Sequence, residues 1–203
     1  MDLSGFGSDG NQGEEVRREI RIAGFGGQGV VTMGMILAVA AGLHENREVA
    51  QTQSYGPEAR GGACRSDVVI SDEPIDYTKP LALDVFIAMS PAALEQYWAE
   101  VRREKTVVII DQTLVAQTPD HSPPIIGIEA TRLAEEEFKN RVVANMIMLG
   151  AMVARTNVVS LGAIQEALKG RLPEKSLEVS RAALLRGFEL GSQVQKVVGK
   201  TGT

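Results

Sequence analysis

The stretch Arg21-Ile22-Ala23-Gly24-Phe25-Gly26-Gly27-Gln28-Gly29-Val30 constrains this chain more than any other. An apolar, extended run ends in glycines, and a long apolar run of helical character follows. The reading is strand, tight turn, helix. Gly24, Gly26 and Gly29 fit the spacing G-x-G-x-x-G, with Gly27 and Gln28 between them. In such a turn the first glycine permits a sharp bend, the second lets another molecule approach the backbone, and the third lets helix pack on strand. The helix N-terminus then presents unpaired N–H groups and a partial positive charge, which suits an anion. The plainer alternative is that the glycines only close a βα turn.

A nicotinamide site asks for more: an acidic residue about 20 residues on, at the end of the next strand, to hold the ribose. That region reads Glu48-Val49-Ala50-Gln51-Thr52-Gln53-Ser54. Glu48 opens the strand rather than closing it, so NAD is not supported. No residue specifically asks for a flavin.

The 203 residues, 44% hydrophobic and 23% charged, suffice for one core. Residues 1–18 read as a polar, glycine-rich leader, 19–191 as a single domain and 192–203 as a frayed tail. A formal charge of -5 without a basic stripe argues against nucleic acid. The longest apolar run, Val30 to Leu43, is too short to span a bilayer. No secretory signal is visible. The single cysteine, Cys64, cannot hold an iron–sulfur cluster, which needs about four thiolates. A reducing, cytoplasmic setting follows. His44 and His121 show no metal-ligand spacing.

Strands are expected at Glu19–Phe25, Glu48–Gln53, Cys64–Ser71, Asp84–Met89, Thr106–Ile110 and Ile125–Ile128. Helices are expected at Val30–Leu43, from Ser90-Pro91, at Thr131–Lys139, Arg141–Ala154 and Ser160–Lys169, and from Pro173 onward. Trp98 reads as core. The final helix would turn Leu177, Leu184, Leu185 and Phe188 inward. The fold class is α/β: a Rossmann-like, three-layer, mostly parallel open sheet with a helical C-terminal third. The first helix and Arg141–Ala154 have almost no polar face, which points to burial by a partner chain or by their own domain.

Between the second and third strands runs Ser54-Tyr55-Gly56-Pro57-Glu58-Ala59-Arg60-Gly61-Gly62, a loop by its Gly-Pro and Gly-Gly steps. It should emerge at the carboxyl edge of the sheet, facing the glycine turn. Asp111, closing a strand at that edge, reads as a turn or helix cap. Asn145, in an apolar helix, reads as structurally hydrogen-bonded, and Cys64 as an inert thiol.

The two loops together resemble the gamma subunit of 2-oxoacid:ferredoxin oxidoreductases. Asp111-Gln112-Thr113-Leu114-Val115 and Asn145-Met146-Ile147-Met148-Leu149-Gly150 also look like that family, and the resemblance covers Glu19 to Gly191. The Gly-Pro-Glu-x-Arg-Gly-Gly form looks more like the 2-oxoglutarate type than the pyruvate type. The resemblance implies a complex that oxidatively decarboxylates a 2-oxoacid, makes an acyl-CoA and passes electrons to ferredoxin. It places thiamine diphosphate and iron–sulfur clusters in partner subunits of alpha, beta and delta type. This chain alone would be inactive, and in isolation its partner surfaces could pair two copies.

Three readings remain for the loops. In the first, Gly24, Gly26, Gly27, Gln28, Gly29, Tyr55 and Arg60 close over the partner's active site and contact coenzyme A. Backbone N–H groups, a stacking ring and a guanidinium fork are the physical basis. In the second, Ser54, Tyr55, Gly56, Pro57, Glu58, Arg60, Gly61 and Gly62 form a purely structural or regulatory docking contact. The third, a free-standing dinucleotide enzyme, lacks both the ribose acid and an acid–base pair.

Overall fold

Alternation along Arg18–Gly24, strand β1, puts Ile20 and Ile22 on one side and Glu19, Arg21 and Ala23 on the other, and everything from Glu19 onward is buried. In this computed structural model, residues 17–54, 63–102, 105–119, 123 and 125–193 are described. The remaining strands are β2 (Glu48–Ser54), β3 (Cys64–Ser71), β4 (Val85–Ala88), β5 (Val107–Asp111) and β6 (Ile125–Ile128). The helices are α1 (Val30–Val39), α2 (Pro91–Tyr97), α3 (Ala130–Phe138), α4 (Ala144–Thr156), α5 (Leu161–Arg171) and α6 (Glu174–Gln193). A π-helical turn, Ala40–His44, prolongs α1, and 3-10 turns occupy Trp98–Glu100 and Arg141–Val143.

The six strands form one sheet in the order β2-β3-β1-β4-β5-β6. Pairs β1–β4, β4–β5 and β5–β6 are parallel, whereas β1–β3 and β2–β3 are antiparallel. The antiparallel insert has a simple cause. Only residues 55–63 connect β2 to β3, and a parallel return needs a crossover of about a dozen residues or more. β2 nevertheless runs parallel to β1, with β3 between them. The register pairs Gly24 with Cys64 and Ser54 with Arg65. The glycine turn and the connector therefore leave from one edge of the sheet, about 10 Å apart at two strand spacings.

The two faces are covered unequally. Ile20, Ile22, Val68, Ile70, Ile87 and Ile109 pack under the helices α1, α3, α4, α5 and α6. Ala23, Phe86, Ala88, Val108 and Ile110 pack under α2 alone, with Leu94 and Tyr97 as its buried contacts. Ser90 starts α2 by accepting from Ala93 N, with Pro91 at the first position, as expected. Trp98 lies half-buried at the rim of this second core rather than inside it.

Every residue of α4 from Ala144 to Val153 is buried. The chain's own α6 covers it, packing through glycines. A Cβ at Gly150 would sit 2.1 Å from Leu184 O, one at Gly187 2.0 Å from Ile147 O, and one at Gly191 2.6 Å from Ala151 O. α6 thus buries small residues beside Leu184, which lies inside as expected; Leu177 and Phe188 are half-buried against the core, and Leu185, expected inside, is exposed. Gly191 is a contact rather than a terminator, which is why the helix continues to Gln193 beyond the expected boundary at 191. At the other end β1 begins within the expected leader. Arg17 binds the Glu19 carboxylate at 2.7 Å and Tyr77 O at 3.0 Å. α1 is covered on its inner side, while Met35, and Leu43 in the π turn, stay exposed.

Gly187→Ala should lower stability by about 2–3 kcal/mol, because backbone atoms cannot yield to the new methyl group. The expected fall in Tm is about 4–12 °C for a chain of this size. Gly162→Ala in α5, where the added Cβ meets nothing within 4 Å, should instead stabilise by about 0.5–1 kcal/mol. Thermal melts of the two variants check the pair.

Candidate functional site at the carboxyl edge

The turn after β1 is built by its glycines in different ways. Gly27 (φ 89°) and Gly29 (φ 74°) hold left-handed backbone that side chains resist. Gly24 is roofed by the Gln28 side chain, whose Oε1 would lie 2.5 Å from an added Cβ. Gly26 and Gly27 face open space, with no atom within 4 Å of where a Cβ would sit. Gln28 Oε1 accepts from Phe25 N at 2.6 Å, and its Nε2 donates to Met89 O at 2.8 Å.

Gly29 caps α1 without a side-chain bond, so no capping side chain takes the N–H groups of the first turn. Asn145, at the start of α4, is pressed against it. An added Cβ at Gly29 would lie 2.1 Å from Asn145 Nδ2. Asn145 is 5% exposed, and its amide finds no hydrogen-bond partner among the described residues. The structural hydrogen bond expected there is not made to another described residue, yet the amide is not among the described side-chain atoms sealed from solvent without a partner.

A cavity of about 380 Å³ opens beside the turn. Phe25, Gly26, Gly27 and Gln28 of the turn line it, with Met89 just beyond β4. Leu114, Thr131, Arg141, Val142 and Ala144 complete the lining. This is the topological switch point: β1 leads to a helix on one face and β4 to a helix on the other. The wall is apolar apart from the turn's backbone, the Gln28 amide, the Thr131 hydroxyl and the Arg141 guanidinium. Arg141 pairs loosely with Glu135, at 3.6 Å. Phe25 and Val142 stand at the rim, 45% and 60% exposed.

Behind this cavity, Asp111 is fully buried. It accepts from Thr113 N at 3.2 Å, Thr131 N at 3.3 Å and Thr131 Oγ1 at 2.5 Å. It caps the turn after β5 and the start of α3, as its position implied. Thr131 thus joins the cap to the cavity.

The connector's exit is held from the other face. Gln96 Oε1 accepts from Ala63 N at 3.1 Å, and Tyr97 Oη donates to Ala63 O at 3.4 Å. The Tyr97 ring carries the guanidinium of Arg21 at 4.9 Å and that of Arg65 at 5.4 Å. Arg21 is buried and forks onto Asp67 at 2.7 and 3.0 Å, and Glu100 adds an ion pair to it. Burial pulls the Arg21 pKa down, but Asp67 and Glu100 outweigh it and hold the pKa above the ordinary value. Burial raises the Tyr97 phenol against the opposing pull of Arg65 and Arg21.

Of the expected site residues, Gly24, Gly26, Gly27, Gln28, Gly29 and Ser54 are described and share the carboxyl edge. Tyr55, Gly56, Pro57, Glu58, Arg60, Gly61 and Gly62 lie outside the described residues. Arg141, Val142 and Thr131 were not anticipated. A sequence signal for Arg141 existed in Asn140, which caps the turn by accepting from Val142 N at 3.1 Å. Cys64 is half-buried opposite Gly24, His44 is exposed, and His121 lies outside the described residues. Among the described residues no cluster of three or more His, Cys, Asp or Glu could hold a metal. No described helix is long and apolar enough to cross a membrane.

Residues 19–190 match the family described as pyruvate ferredoxin/flavodoxin oxidoreductase. The chain is similar to the 2-oxoglutarate synthase subunit KorC of Methanocaldococcus jannaschii, 42% identical over 182 residues, or 89% of this chain and 97% of that one. Among solved structures it is similar to the keto/oxoacid ferredoxin oxidoreductase gamma subunit from Geobacter sulfurreducens PCA. That match has a TM-score of 0.77 at 38% identity over 86% of this chain and 98% of the other. The 2-oxoglutarate:ferredoxin oxidoreductase from Magnetococcus marinus, solved with 2-oxoglutarate, coenzyme A and succinyl-CoA bound, matches with a TM-score of 0.75 at 27% identity. There 89% of this chain corresponds to 32% of a longer one.

Thr131→Val keeps the shape of the side chain but removes the hydroxyl donor to a buried carboxylate. It should cost about 1.5–3 kcal/mol, read as a lower denaturant midpoint in urea unfolding.

Proposed function

The chain belongs to the pyruvate ferredoxin/flavodoxin oxidoreductase family, as the gamma subunit of a 2-oxoacid:ferredoxin oxidoreductase complex, and on that premise we propose that its carboxyl edge closes over the partner subunits' active site and holds part of coenzyme A. The observation that carries this reading is the cavity at the carboxyl edge, where the open backbone of Gly26 and Gly27 and the Arg141 side chain line one space. Gly26 and Gly27, whose backbone faces open space, and Arg141 meet at one cavity of about 380 Å³. That donor set suits the phosphates of an anionic ligand, and the apolar walls suit its remaining body. Arg60 and Tyr55 would add a second cation and a stacking ring from the connector that leaves the same edge.

The complex would oxidatively decarboxylate 2-oxoglutarate or a related 2-oxoacid to its acyl-CoA, with ferredoxin as electron acceptor. 2-Oxoglutarate is favoured by the similarity to KorC. Thiamine diphosphate and iron–sulfur clusters belong to alpha, beta and delta-type partners, since a cluster takes about four thiolates and this chain has one cysteine. That cysteine usage suits the cytoplasm. Alone, the chain would be inactive.

The exposed Phe25 and Val142 at the cavity rim favour a second reading, in which the same surface serves docking alone. In isolation such a surface would also let two copies pair.

Arg141→Ala and Arg60→Ala, each in the assembled complex, separate the two. Loss of a charge-assisted bond, about 1.5–3 kcal/mol, should raise the KM for coenzyme A about tenfold or more while assembly persists. Unchanged KM with intact assembly counts against coenzyme A contact, and loss of assembly on size exclusion favours docking.

A further inference from the structure

In a dinucleotide fold the gap between the carboxyl ends of the two strands at the switch point admits a pyrophosphate, which takes N–H groups of the glycine turn. Here the Gln28 carboxamide occupies that gap. The last backbone rung between β1 and β4 is Met89 N to Ala23 O, at 2.8 Å. One step further out, Phe25 N–H donates to Gln28 Oε1 at 2.6 Å, and Gln28 Nε2 donates to Met89 O at 2.8 Å. The side chain acts as one more peptide group in the sheet, bridging two strands beyond their ends.

We infer that Gln28 is a positioning residue: it ties the glycine turn to β4, so that Gly26, Gly27 and the first turn of α1 are already aimed at the ligand before it binds. The inference rests on the coenzyme A reading above. Both polar atoms of Gln28 are engaged within the protein, so it acts through the backbone it holds. The glycine at position 24 leaves room for this side chain, since a Cβ there would lie 2.5 Å from Oε1 in its bridging position. Only a carboxamide of this length supplies both an acceptor for Phe25 N and a donor for Met89 O. Glutamate keeps the acceptor but sets a negative charge against the Met89 carbonyl. Leucine fills the space and leaves both backbone groups unpaired. By filling the gap, Gln28 also keeps a dinucleotide pyrophosphate out of it.

The test compares Gln28→Leu, Gln28→Glu and Arg141→Ala in the assembled complex, together with amide hydrogen exchange on the full chain. For both Gln28 variants the expected result is a KM for coenzyme A raised about tenfold, with the KM for the 2-oxoacid and kcat at saturating coenzyme A within about twofold. Exchange at the Phe25 amide, which Gln28 protects, should quicken about tenfold or more while the rest of the chain is unchanged. The inference is overturned if Arg141→Ala raises the KM for coenzyme A and the Gln28 variants do not. It is equally overturned if the Gln28 variants raise both KM values and lower kcat together, or quicken exchange throughout the chain, since Gln28 would then be only structural. If Arg141→Ala and the Gln28 variants all leave the KM for coenzyme A unmoved, the coenzyme A reading itself falls and takes this inference with it.

Discussion

Backbone-to-backbone contact between α4 and α6 decides where the second half of the chain meets the first. Gly150, Gly187 and Gly191 let the two helices approach until carbonyl oxygens occupy the space of absent methyl groups. α4 is thereby clamped between the sheet and α6, and its ten consecutive buried residues need no partner chain. The consequence reaches the cavity. The start of α4 and the turn before it carry Arg141, Val142, Ala144 and Asn145 to the glycine turn of β1.

The first half meets them with a turn that is ordered from within. Gln28 bridges β1 to β4, and Gly29 yields its space to Asn145. On the opposite face, Arg21, Asp67 and Tyr97 hold the exit of the connector by paired charge and ring contact. Buried ions are tolerated there because each finds its opposite, and that pairing orders a patch that hydrophobic contact alone would leave loosely specified. The backbone donors of the glycine turn and the apolar side chains at the rim are then two parts of one surface.

Most elements were legible because their signals are local. Ser90-Pro91 and Ser160 cap helices where the residue types say they should. The shortness of the 55–63 connector, read as a loop, also contains the antiparallel pairing of β2 and β3, though the residues alone suggested only a mostly parallel sheet. Two readings failed for a common reason. Leu185 and Trp98 follow helical periodicity, yet α6 buries its glycine face and Trp98 sits where the helix has tightened to a 3-10 turn. Periodicity says that a face is buried; it does not say which neighbour's shape the face must match.

The amino-acid sequence by itself determined the strand–turn–helix at Gly24–Gly29, the α/β class and the membership that the two loops signal, because each depends on residues within a few positions of one another. Tertiary structure alone decided that Gln28 faces inward, that Asn145 packs against Gly29 and that Arg141 stands at the cavity. Those outcomes depend on how closely distant backbones approach. That distance is set by glycines whose significance shows only once the helices have met.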